Sequence, residues 1–151
     1  MNYLKEYYER IMNGDIVVGN ELRTILDGLI TDLDNPKYIF DEVPGQIKID
    51  FIATFCRHTK SPFNGKPFIL ELWEKAILQT AYGFKFKETG LRRFNEVILL
   101  IARKNGKTTF VAGIDLADFF LSKGGVDIVC ASNTNNQAFF YIFQSNYTKS
   151  D

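Results

Sequence analysis

The sequence predicts an α/β fold in which a parallel βαβ unit follows an N-terminal helical region. With 151 residues, 46% of them hydrophobic and 15% aromatic, the chain is large and apolar enough to bury a core of its own. Apolar residues recur at helical spacing through the first third of the chain. Further on, apolar runs at residues 96–101 and 126–130 flank a helical pattern at 108–121. The order strand, helix, strand implies that the two strands are parallel.

The N-terminal helical region is expected to cover residues 1–62 and to contain three helices. Asn20 can cap the second helix with its side chain, and Asn35-Pro36 ends that helix. The helices are expected over residues 2–12, over residues 20–34 and after Pro44. Turn-forming residues at 61–62 and 64–67 place the main boundary there, so that residues 63–151 form the second part.

The second part is expected to alternate between helices and strands. Its two apolar runs contain β-branched residues, as is typical of strands that are buried on both faces. Gly124-Gly125 separates the second of these strands from the helix before it. The helices of this part are expected at residues 71–82, 108–121 and 135–146.

Composition excludes several classes of protein. Two cysteines, Cys56 and Cys130, are too few for a disulfide scaffold, so a reducing compartment is expected. The charged N-terminus lacks the apolar segment of a signal peptide, and the apolar run at 97–102 is too short to span a bilayer. A formal net charge of zero argues against a simple polyanion-binding basic protein.

Charge is nevertheless distributed unevenly along the chain. Residues 1–50 carry a local net charge of −5, whereas residues 85–107 carry +5. This asymmetry predicts that the basic region meets an anion. A solvated surface with uneven charge is the alternative, and the charge pattern alone does not decide between them.

The segment from Val97 to Thr109 has the order that a nucleotide-phosphate site requires: a buried strand, a short polar loop, and Gly-Lys-Thr opening a helix. Gly106 would let the backbone approach phosphate oxygens, because it has no Cβ. Lys107 would reach the β- and γ-phosphates, and the Thr108 hydroxyl would ligate Mg²⁺. Thr109 is placed to hydrogen-bond an α-phosphate oxygen.

The loop departs from the standard phosphate-loop pattern at one position. Gly-x-x-x-x-Gly-Lys-Thr would place glycine at position 101, where this sequence has Ile101. A surface turn with a helix N-cap is the alternative interpretation of the triplet. The apolar run before it and the amphipathic helix after it favour the phosphate loop.

The loop sequence Ala102-Arg-Lys-Asn-Gly-Lys-Thr-Thr109 resembles the deviant Walker A motif of the large terminase subunit of tailed phages, in the HK97-like branch. The likeness extends upstream to the segment at 65–83, which resembles the adenine-contacting segment of that family, and to Arg92-Arg93-Phe94. Downstream it covers residues 126–138, so that four motifs occur in the family's order. The resemblance implies a P-loop NTPase-like parallel core, of which this sequence is the N-terminal portion.

The resemblance also implies roles for individual residues. Lys107 and Thr108 keep the phosphate and magnesium roles, and Arg103 would sense or stabilise the γ-phosphate, as a guanidinium can. Trp73 would pack near the adenine, although plain core packing explains it equally well. Glu74 lies where the family commonly has glutamine, and an ionised carboxylate can only accept hydrogen bonds, which puts adenine selectivity there in question. The implied nucleotide-binding residues are Ala102, Arg103, Lys104, Asn105, Gly106, Lys107, Thr108, Thr109, Trp73 and Glu74, with Arg103 and Lys107 catalytic and Thr108 the metal ligand.

A motor ATPase also needs an apolar strand that ends in Asp-Glu, with one carboxylate for magnesium and one to activate water. No such run follows the loop, and no cluster of acidic nuclease ligands follows it either. We therefore expect a truncated N-terminal portion that binds ATP and Mg²⁺ with little turnover.

The partners implied by the resemblance are those of the intact motor. They are double-stranded phage DNA, the small terminase subunit, the portal protein of the procapsid, and further copies of the chain in a homo-oligomeric ring in the bacterial host cytoplasm, without a membrane. DNA would be contacted through phosphates by the basic region at 85–104. Two alternatives stay open: a non-catalytic remnant that acts as an interaction module, and an unrelated small P-loop NTPase.

Overall fold

The computed structural model describes residues 1–59, 61–102, 104–122, 124 and 126–129. These residues form a mainly helical structure with one small sheet. In chain order the elements are α1 (Tyr3–Met12), α2 (Asn20–Leu33), β1 (Tyr38–Phe40), α3 (Glu42–Phe55), α4 (Leu72–Gly83), β2 (Phe84–Phe86) and α5 (Lys107–Leu121). No helix among the described residues has the length and apolar character needed to cross a membrane.

The chain folds into two compact units that interleave along the sequence. The first unit comprises Met1–Ile49 and Glu71–Leu99, and the second comprises Asp50–Leu70 and the described residues from Leu100 onward. Helix α3 therefore contributes to both units. The sequence-based division at residues 1–62 and 63–151 stays a prediction about the wider domain organisation.

The first unit is built around helices that the apolar spacing predicts. In α1 the Asn2 side chain accepts a hydrogen bond from the Lys5 N–H at 2.9 Å, which caps the helix. Leu4 and Ile11 of α1 are buried against Leu26 of α2 and Phe84 of β2. Helix α2 begins at Asn20, so the capping role predicted for Asn20 is wrong by one residue. An N-cap needs extended backbone, and Gly19 provides it with φ −70° and ψ 160°.

One close backbone approach and one buried side chain hold α4 in the first unit. A Cβ at Gly45 of α3 would lie 2.6 Å from the Gln79 Cα, so only glycine fits where α3 meets α4. The Gln79 side chain is fully buried; its Oε1 accepts from the Tyr3 N–H at 2.7 Å, and its Nε2 donates to the Met1 carbonyl at 2.8 Å. The N-terminal residues are thereby fastened to α4.

The sheet differs from the one that the sequence predicts. Strands β1 and β2 pair antiparallel, with Tyr38 opposite Phe86 and Phe40 opposite Phe84. Among the described residues, those at 96–101 and 126–129 form no strand, so these two predicted strands and their parallel pairing are not found there. Instead of being buried on both faces, Ile98 is 78% exposed and Leu100 is 90% exposed. The physical reason is that an apolar run becomes a strand only where neighbouring strands complete its hydrogen bonds, and the described residues supply none.

Helix α5 dominates the second unit and confirms the helix predicted at 108–121. Phe110, Gly113 and Ala117 are its buried residues. A Cβ at Gly113 would lie 3.3 Å from the Ile52 side chain, which shows how closely α5 packs on the end of α3. Phe120 of α5 is 66% exposed, with its ring stacked 6.0 Å from the Phe51 ring. The helix predicted at 135–146 and the last residue of the strand predicted at 126–130 lie outside the described residues.

Candidate functional site

The loop before α5 contains two residues in the left-handed backbone conformation. Gly106 precedes the helix in the left-handed conformation, with φ +73°, and Lys104 is also left-handed, with φ +70°. The helix begins at Lys107, so the preceding residues are a loop and not a continuation of the helix. The residue at position 106 must therefore tolerate a positive φ, which glycine does without strain.

Backbone amides converge at this junction. The Phe110 N–H donates to the Gly106 carbonyl at 3.0 Å, which closes the first turn of α5. The N–H groups of Lys107, Thr108 and Thr109 precede that bond and have no acceptor within the helix, because the first amides of a helix never do. Together with the positive end of the helix dipole, these amides suit an anion.

The side chains of the loop are accessible to a solute. Ala102, Lys104, Asn105 and Lys107 are exposed, whereas Thr108 and Thr109 are half-buried in the first turn of α5. A Cβ built on Gly106 would meet nothing within 4 Å, so the space beside the glycine is open. These features fit a phosphate group with a magnesium ion ligated by a hydroxyl. Arg103, the remaining residue of the loop, lies outside the described residues.

Trp73 and Glu74 lie in the first unit, at the start of α4, whereas the loop belongs to the second unit. Glu74 is only 3% exposed, and its Oε2 accepts from the Glu71 N–H at 2.8 Å. The Glu71 side chain accepts from the Glu74 N–H in return, so the two residues form a capping box. Glu74 thus has a structural role that sequence reasoning missed, although the spacing Glu-x-x-Glu before an apolar helix could have suggested it. Trp73 is half-buried.

Burial raises the pKa of the Glu74 carboxyl above its ordinary value, and the negative charge of Glu71 raises it further. The hydrogen bond from the Glu71 N–H and the charge of Lys75 act in the opposite direction and are weaker than the burial. The Glu74 carboxyl therefore favours its neutral form more than an exposed glutamate does. Its Oε2 already accepts the Glu71 N–H.

An Asp-Glu pair does follow a strand in this chain, at Asp41-Glu42 after β1, and sequence reasoning missed it. Asp41 accepts from the Val43 N–H at 3.0 Å with Oδ1 and lies 3.4 Å from Lys85 Nζ with Oδ2. Glu42 pairs with the N-terminal amino group of Met1 at 2.8 Å. Both carboxylates stabilise the first unit, and the pair precedes the loop instead of following it.

The carboxylates nearest in sequence after the loop lie on α5. Burial raises the pKa of the Asp115 carboxyl, and the charge of Asp118 adds to that shift. Within the part of the chain that the structure describes, no group of three or more histidine, cysteine, aspartate or glutamate residues could hold a metal ion.

Comparison with known proteins identifies a family. The family model described as terminase large subunit, ATPase domain, matches residues 72–148, just over half of the chain, and this stretch includes α4, the loop and α5. The chain therefore belongs to the terminase large subunit family, through its ATPase domain. Searches of curated proteins and of solved structures found no match.

Proposed function

We propose that this chain binds ATP and Mg²⁺ through the loop at residues 102–109 and is the nucleotide-binding part of a motor that packages double-stranded DNA into phage procapsids. The observation that carries the proposal is the left-handed Gly106 placed directly before a helix that begins Lys-Thr-Thr. In this setting the first-turn amides hold phosphate oxygens in a fixed cradle. The HK97-like branch and a P-loop core belong to the same proposal.

Each loop residue has a defined role in this proposal. The exposed Lys107 ammonium extends from the helix start and attracts the β- and γ-phosphates as a point charge. The Thr108 hydroxyl holds the magnesium ion, which neutralises charge on the phosphates when bound. Arg103 stabilises the γ-phosphate. Thr109 hydrogen-bonds the α-phosphate, while Ala102, Lys104 and Asn105 shape the loop.

Recognition of the base is weaker in this proposal than recognition of the phosphates. Trp73 offers an aromatic surface for the adenine, but Glu74 is buried and engaged in capping α4. A carboxyl that already accepts a backbone amide has little capacity left to distinguish adenine from another base. We therefore propose that the triphosphate and its magnesium ion supply most of the binding free energy.

We propose that the described residues hydrolyse ATP slowly. The Asp41-Glu42 pair is engaged in ion pairs within the first unit, and Asp115 on α5 has a raised pKa that opposes the ionised form a base requires. In the motor that we propose, the chain acts with duplex DNA, the small terminase subunit, the portal protein and further copies of itself.

Isothermal titration calorimetry with Mg·ATP tests the nucleotide assignment. Removing one charge-assisted contact typically costs about 1.5–3 kcal/mol, so Lys107→Ala should weaken binding at least about tenfold. Lys5→Ala removes an exposed lysine on α1 and is the matched control, expected to bind as the wild type does. Equal affinity of the wild type and Lys107→Ala would refute the phosphate role of this loop.

A further inference from the structure

The basic segment that precedes the loop is folded into a short hairpin, which we call hairpin 84–93. Its closing hydrogen bonds run from the Gly90 N–H to the Phe86 carbonyl at 2.8 Å and from the Phe86 N–H to the Leu91 carbonyl at 2.9 Å. The Arg93 N–H donates to the Phe84 carbonyl at 2.9 Å, and Lys85 and Arg92 form an antiparallel bridge. The bridge places Lys85 and Arg92 side by side on the hairpin.

Two of the four cations of this hairpin pair with carboxylates of the first unit. The guanidinium of Arg93 forms an ion pair with Asp32 of α2 at 2.6 Å, and both side chains are largely buried. Its central carbon lies 4.1 Å from the centroid of the Tyr38 ring and 4.8 Å from that of Phe94. Lys85 pairs with Asp41 at 3.4 Å. These two cations are neutralised where they lie.

The other two cations, Lys87 and Arg92, are exposed, and neither pairs with a carboxylate of the described residues. The guanidinium of Arg92 lies 5.1 Å from the centroid of the Tyr82 ring, which also carries Lys48 Nζ at 4.3 Å. A ring that packs against the side chain of an exposed arginine reduces the entropy lost when the guanidinium engages an anion.

The two exposed cations lie on one hairpin. Arg92 pairs with Lys85 across the hairpin, and Lys87 follows Lys85 by two residues in the turn. Duplex DNA carries one charge per about 3.4 Å of axis on each strand, so two long cationic side chains on one hairpin can each meet a separate phosphate. Lys37, whose carbonyl accepts the Lys87 N–H at 3.0 Å, adds a third exposed cation next to the hairpin, and the turn of the hairpin also contains the exposed Glu88.

We propose that Arg92 and Lys87 contact the phosphate backbone of duplex DNA, while Arg93 and Lys85 hold the hairpin in shape. The proposal rests on the proposed function in taking DNA as the polyanion, and it divides the basic region into contacting and positioning residues. Both contacts are to phosphates, so binding does not depend on base sequence.

Fluorescence anisotropy of labelled 30-base-pair duplexes tests this division, with the full chain at several salt concentrations and two unrelated sequences. The double variant Lys87→Gln/Arg92→Gln should bind about tenfold more weakly at 50 mM salt, equally for both sequences. The slope of log affinity against log salt should fall in magnitude by about 1.8, since each lost phosphate contact removes about 0.9.

Two control variants separate contact from folding. Lys5→Gln/Arg23→Gln removes one exposed lysine and one exposed arginine from α1 and α2, and it should leave both affinity and slope unchanged. Arg93→Gln should lower the thermal midpoint, because it leaves Asp32 half-buried without its partner, but it should keep the salt slope of the folded protein.

Three results would overturn the division of roles. The first is an unchanged slope in Lys87→Gln/Arg92→Gln, and the second is an equal loss of affinity in the α1 and α2 control. The third is a wild type that binds Mg·ATP in the calorimeter but no duplex, which would remove the DNA surface and leave the nucleotide proposal intact. A wild type that binds duplex normally but does not bind Mg·ATP would remove the nucleotide proposal and leave the DNA surface intact.

Discussion

Replacing Gly106 by alanine is the most direct test of the loop geometry. The φ of +73° at this position places an alanine in the left-handed region, at a cost of roughly 1–2 kcal/mol. Nothing lies within 4 Å of the added Cβ, so no steric clash adds to that strain. An exposed loop can relax the strain by leaving the left-handed conformation. Part of the free energy of ATP binding is then used to restore that conformation. The affinity for Mg·ATP should therefore fall about 5- to 30-fold.

The matched control for this experiment is Gly90→Ala. Gly90 has φ +70° and equally open space beside it, but it lies in the turn of hairpin 84–93. It carries the same backbone penalty without touching the loop, so it should lower stability modestly and leave the ATP affinity unchanged. Calorimetric titration and thermal melts of both variants decide the matter. The reasoning is refuted if Gly106→Ala binds ATP as the wild type does, or if Gly90→Ala weakens binding equally.

Two further predictions concern the helices of the first unit. Gly45→Ala should destabilise the chain by about 1–3 kcal/mol in urea denaturation, because the new Cβ would lie 2.6 Å from backbone of α4; Gly28→Ala on α2, with open space, should not be destabilised. For Glu74, burial raises the folded pKa above the unfolded one, so the stability that protonation contributes is present at acid pH and is lost as the pH rises through the raised pKa. Glu74→Gln should therefore raise the thermal midpoint at pH 7 and change it less at pH 4, and a larger gain at pH 4 would contradict the desolvation argument.

Helices were predictable from the sequence because their signal is local. Apolar spacing and helix breakers predicted all five described helices, whereas the cap predicted at Asn20 is one residue off. The strands were not predictable in the same way. Strands β1 and β2 are three residues each, too short for a period of two to stand out, and their pairing joins residues more than 40 positions apart.

The apolar run at 96–101 also shows that strands are hard to predict from local sequence. Its composition is that of a buried strand, yet Ile98 and Leu100 are exposed in the structure. Composition reports what a segment could bury, whereas burial depends on neighbours that lie elsewhere in the chain. At the loop, the glycine and the helix start were predictable from Gly106-Lys107-Thr108, but the left-handed Lys104 carries no comparable sequence signal.

Among the described residues the loop before α5 has its left-handed glycine without a strand leading into it, and this identifies what sets the shape of the loop. Helix α5 is fixed in the second unit by three buried residues, one of which, Gly113, lies against Ile52 of α3. The positive φ of Gly106 then makes the helix begin at Lys107. The direction of the first-turn amides follows from these two features alone, since amides point along the axis of the helix they begin. The phosphate cradle that we propose therefore depends on the helix and its glycine, and Gly106→Ala should weaken ATP binding more than substitutions in the apolar run at 96–101.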